Sequence, residues 1–72
     1  MEKFIVTNEW YTLSESVKTG KINGFLMNQK PDAQSKPKQF LSKKEAEDEA
    51  EFCNSDPMAI ANLGFLMVKP IS

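Results

Sequence analysis

The sequence predicts an α+β domain: a small antiparallel sheet of three or four strands packed against one main helix at about residues 42–54. Three observations carry that reading. A β-branched and aromatic run, Phe4-Ile5-Val6-Thr7, opens the chain, and a continuous apolar run, Phe65-Leu66-Met67-Val68, comes near its end. Between them Ser42-Lys43-Lys44-Glu45 has the form of a capping box, with Ser42 as cap and Glu45 reaching back to the cap amide.

The elements follow in order. Phe4-Ile5-Val6-Thr7 suits a half-buried strand. Residues 8–20 admit two readings. Trp10, Leu13 and Val17 have helical spacing behind an Asn8 cap, but Tyr11, Leu13 and Val17 also share one face of a strand, with Thr19-Gly20-Lys21 in a hairpin turn. The strand reading is preferred. The run from Ile22 to Met27 is a further strand, followed by a flexible polar loop at about residues 30–39 punctuated by Pro31 and Pro37. In the main helix, Ala46, Ala50 and Cys53 line one narrow face that lets it lie close to a sheet, and Leu41 with Ala46 forms a weak hydrophobic staple. Asn54 can end this helix, and Pro57 stops it from running on. Met58-Ala59-Ile60-Ala61-Asn62 is either a helical turn capped by Asp56 or the start of a strand, and Phe65-Leu66-Met67-Val68 is a buried strand ended by Lys69-Pro70. The match between Gly24-Phe25-Leu26-Met27 and Gly64-Phe65-Leu66-Met67 reads as two similar strands, since four residues fall far short of a structural repeat.

With 72 residues there is room for one core, so residues 1–72 read as a single domain. The 40% apolar and 26% charged composition is that of a folded globular chain, which sets aside disordered and fibrous classes. One cysteine and no apolar run of membrane-spanning length point to a cytoplasmic protein with no membrane association. The opening residues turn polar too early for a secretory leader, so the chain reads as complete and unprocessed.

Absent chemistry narrows the function. Histidine is missing altogether, which removes the commonest general base and zinc ligand and excludes hydrolytic triads. Cys53 has no histidine partner and reads as a small core residue. Gly20, Gly24 and Gly64 are too scattered for a phosphate loop or a dinucleotide fingerprint. No enzyme activity, metal, cofactor or small-molecule substrate is expected.

What remains is charge segregation. Residues 18–44 hold seven lysines against Asp32, a balance of +6, while residues 45–56 hold six acids and no base, a balance of −6. The acidic helix, with Glu45, Glu47, Asp48, Glu49 and Glu51, is the candidate partner-binding surface. The alternative is nucleic-acid binding through Lys30, Lys36, Lys38, Lys43 and Lys44 of the lysine-rich 18–44 segment. The order Trp10-Tyr11, Thr19-Gly20-Lys21 and Phe40 before Ser42-Lys43-Lys44-Glu45-Ala46 resembles, in outline, three-stranded DNA-binding modules that end in a helix, and it names no family. The absence of arginine, a pI near 5.3 and the acidic helix all depart from what such modules need.

Strands with large apolar groups on both faces also leave one face without a helix, which raises a third expectation, a homodimer or a protein-binding sheet face. The preferred reading is a non-catalytic inhibitor or modulator of a macromolecular partner, docking through the acidic helix or an apolar sheet face. Small stand-alone proteins of this kind are often regulators encoded by phages or other mobile elements, including anti-defence proteins.

Overall fold

The computed structural model describes residues 2–27 and 30–71. Its elements are β1 (Lys3–Thr7), β2 (Tyr11–Ser16), β3 (Ile22–Met27), β4 (Ser35–Pro37), α1 (Lys43–Asn54), α2 (Pro57–Leu63) and β5 (Met67–Ile71). This is the α+β architecture that the sequence predicts, with five strands instead of three or four. The strand order is β3-β2-β1-β5, all neighbours are antiparallel, and β4 pairs with β2 off this path.

The extra strand comes from the segment read as a polar loop. β1 and β2 are paired only near their connection, at Thr7 and Thr12, and then splay apart. Residues 35–40 fill the wedge. Ser35, Lys36 and Pro37 lie opposite Ser16, Glu15 and Ser14, the Lys38 amide donates to the Leu13 carbonyl at 2.8 Å, and Phe40 exchanges both main-chain bonds with Phe4 at 2.9 and 2.8 Å. A polar composition hides this strand, because what holds it is the main-chain hydrogen bonding that splayed neighbours would otherwise leave unmet.

Within residues 9–18, Tyr11–Ser16 form a strand, not a helix. β2 ends at Ser16, and a turn follows in which the Gly20 amide donates to the Ser16 carbonyl and Gly20 takes a φ of 72°. Val17 is therefore an exposed turn residue instead of part of a strand face. In β3, Ser14 lies opposite Gly24 and Glu15 opposite Ile22, so Asn23 is an extra, bulged residue, and Gly24 beside it has a φ of 124°.

α1 starts where the capping signal places it, with Ser42 Oγ accepting from the Glu45 amide at 3.4 Å. The reciprocal half of the box is not formed, and Leu41 is 67% exposed, so the expected staple is absent. Phe40 is the residue that turns inward. It joins Val6, Leu13, Ala46, Ala50 and Leu66 in the core, with Phe4, Phe25, Cys53 and Val68 packed around them. Ala46 and Ala50 are the only buried residues of α1, and their small side chains set the helix close to β1 and β5. α2 resolves as the helical alternative, capped by Asp56 Oδ1 on the Met58 amide at 3.0 Å and ended by Gly64 at a φ of 81°.

β5 begins two residues later than expected and runs through Lys69-Pro70. The register explains why proline is tolerated. Phe4 turns its main-chain groups toward Phe40, away from β5, so Pro70 opposite it sits at a position without ladder bonds and its missing N–H faces the open sheet edge. Leu66, four residues earlier, meets that edge with the same orientation. There the Asn54 side chain takes the place of a strand, accepting from the Leu66 amide and donating to its carbonyl, each at 2.9 Å.

The face of the sheet away from α1 carries Ile5, Thr7, Thr12, Ser14 and Leu26, all buried. It is more polar than expected, and its polar groups are satisfied. The Thr7 and Thr12 hydroxyls lie 2.7 Å apart, Ser14 Oγ donates to Asn23 Oδ1 at 2.6 Å, and Asn23 Nδ2 reaches Ser35 Oγ at 2.8 Å. The Asn23 bridge ties β3 and β4 together across β2 on this side.

Replacing Asn54 with alanine would leave both main-chain groups of buried Leu66 without these partners. The expected loss is about 1–3 kcal/mol of unfolding free energy, measured by urea titration followed through Trp10 emission. A loss below about 0.5 kcal/mol would show that water replaces the amide at no consequence.

Candidate functional site

The five helical carboxylates do not form one row. An α-helix advances about 100° per residue, so Glu47 and Glu51 fall on the flank that faces β5, Glu45 and Glu49 fall on the opposite flank, and Asp48 lies outermost. Asp48 pairs with Lys44 one turn earlier, Nζ to Oδ2 3.4 Å, in an exposed pair that contributes little to stability. Glu49 is half-buried and the other four are exposed.

The flank with Glu47 and Glu51 borders a concavity. The groove between α1 and β5 has a volume of about 530 Å³, with Lys43, Glu47 and Glu51 on its wall, Ala50 and Val68 as its apolar lining, and Asn54 and Ser55 at its end. In the β1–β5 register Val68 shares the parity of Pro70, so its main-chain N–H and C=O point to the same outer edge. The groove therefore combines two carboxylates, an ammonium, an apolar strip and one outward-facing pair of main-chain groups.

The lysines of the alternative site are not gathered comparably. Lys36 lies on β4 opposite Glu15, while Lys38 donates from Nζ to the Gly20 carbonyl at 3.1 Å and sits 5.7 Å from the centroid of the Phe40 ring. Lys43 belongs to the groove, Lys44 is paired with Asp48, and Lys30 is exposed just before β4. Lys38 thus has a structural role that a sequence count of positive charge does not reveal.

A second concavity, missed by the sequence reading, lies at the tip of the sheet. It is lined by Asn8, Glu9, Trp10, Leu63, Gly64, Phe65 and Met67 and has a volume of about 290 Å³. Phe65 belongs to the run expected to be a buried strand, yet it is 66% exposed, and Trp10 is 63% exposed. The signal available in the sequence was Asn8, which suits a turn more than a helix cap when a strand precedes it.

Cys53 packs against the core from the inner face of α1, half-buried, as expected. Burial pushes its thiol above the ordinary value, and Glu49 and Asp56 push in the same direction. Among the described residues no set of three metal-ligating side chains comes together, and no helix is long and apolar enough to cross a membrane. Compared with family models, curated proteins and solved structures, the chain has no significant match.

Because the folded state favours the neutral thiol, Cys53 holds less thiolate than a free cysteine at any given pH. Its share of stability is present at neutral pH and is lost as pH rises through the raised value. Iodoacetamide at pH 8 should alkylate Cys53 several-fold more slowly in the native protein than in urea, read by mass spectrometry. Equal rates in the two states would contradict the burial argument.

Proposed function

We propose that this protein is a small non-catalytic binding protein, an inhibitor or modulator that docks on a macromolecular partner through the groove between α1 and β5. The observation that supports this reading is the coincidence of a concavity of about 530 Å³ with Glu47 and Glu51, two of the five carboxylates that the charge pattern singles out. Carboxylates one helical turn apart above an apolar strip suit a basic side chain whose aliphatic stem lies on Ala50 and Val68 while its charge meets the acids. The partner so described is a protein presenting lysine or arginine from an extended or loop segment.

The test is recovery of a stoichiometric partner by the tagged chain from nuclease-treated lysate, comparing the native sequence with Glu47→Lys/Glu51→Lys. The double reversal should weaken recovery about tenfold and flatten its salt dependence, with the fold unchanged by circular dichroism. Recovery that survives the reversal would remove the groove from consideration. Recovery abolished by nuclease, and weakened by loss of Lys36 and Lys43, would transfer the function to nucleic acid.

A further inference from the structure

The tip of the domain is built around one side chain. Asn8 Oδ1 accepts from the amides of Trp10 and Tyr11, each at 2.8 Å, and Asn8 Nδ2 donates to the carbonyls of Leu63 at 2.7 Å and Phe65 at 3.2 Å. Gly64 lies beside it at a φ of 81°, a left-handed conformation that favours glycine, and a Cβ there would stand in ordinary contact, 3.5 Å from Asn8 Nδ2. The β1–β2 connection and the segment entering β5 are therefore clamped together, and the large side chains that they carry are presented from fixed backbone.

Trp10, Phe65 and Met67 are 63%, 66% and 53% exposed, and they surround one concavity in which Glu9 is the sole charged lining residue. Exposed tryptophan, phenylalanine and methionine on rigid backbone are the side chains that anchor protein interfaces, since they bury large area with little entropy left to lose. An indole beside a carboxylate and a thioether is complementary to a cation on an aliphatic stem. The ring face and Glu9 attract the charge, and Phe65 and Met67 cover the methylenes.

We infer that this tip, separate from the α1–β5 groove, is a docking site for a protein segment that presents a lysine or arginine next to an apolar residue. Trp10 is the only tryptophan in the chain, so the site carries its own reporter. The experiment titrates the full chain with the capped peptide leucyl-lysyl-leucine and, in parallel, with leucyl-glutamyl-leucine, following Trp10 emission. The lysyl peptide should shift and quench the emission saturably, and the glutamyl peptide should bind at least about threefold more weakly.

Glu9→Lys, at an exposed position, should weaken the lysyl peptide about three- to fivefold without affecting the fold, and Phe65→Ser should weaken both peptides. Glu47→Lys/Glu51→Lys should leave the titration unchanged, which keeps this site distinguishable from the groove. Equal response to the two peptides, no response to either, or sensitivity to the groove variant would each overturn the inference. So would concentration-dependent emission in the absence of peptide, which would assign the tip to a second copy of the chain.

Discussion

The architecture depends on satisfying the main chain of residues 63–66, a segment with no strand beside it. Buried peptide groups left unpaired are expensive, and here two asparagine side chains supply the partners. Asn54 gives Leu66 both bonds that a neighbouring strand would give, and Asn8 takes the carbonyls of Leu63 and Phe65. Because Asn54 closes α1 and Asn8 closes β1, the same contacts join the helical half of the molecule to the sheet. Leu66 can then enter the core beside Val6, Ala46 and Ala50.

That arrangement also shapes the surface. With Asn54 occupying one end of the β5 edge and Pro70 blanking the other, Val68 turns its main-chain groups outward along the acidic groove that it lines. Long unpaired edges invite indiscriminate association, and a short one restricts what can pair. The charge segregation of the sequence is resolved in space in a similar way. Part of each block is absorbed locally, Lys44 by Asp48 and Lys38 by the Gly20 carbonyl, while Glu47, Glu51 and Lys43 stand along the α1–β5 groove.

Much of the fold was legible where local chemistry decides it. Ser42 and Asp56 announce two helix starts, Gly20 marks a hairpin, and the Ala46, Ala50 and Cys53 spacing identifies the face of α1 that meets the sheet. What escaped depends on contacts between residues far apart. β4 exists because β1 and β2 splay, β5 tolerates Pro70 because of the register of Phe4 with Phe40, and Leu41 lost its expected staple because Phe40 was drawn inward. The candidate groove was half legible. The carboxylates stand out in the sequence, but which of them face a concavity follows from how α1 lies across β5. The tip was hidden, because Trp10 and Phe65 look like core residues until Asn8 is seen to hold them at the outer end of the sheet.

The pairing of β1 with β5 sets Lys3 opposite Ile71, so the first strand of the sheet waits for the last. Contacts between residues so distant in sequence require closure of almost the whole chain before they are rewarded, which slows folding relative to hairpin-dominated topologies. During synthesis, β1 has no partner on that side until β5 has left the ribosome, and the groove that β5 helps to form does not exist before then. The β2–β3 hairpin can close early from local contacts, whereas the surface shared by α1 and β5 forms only once β5 has paired with β1.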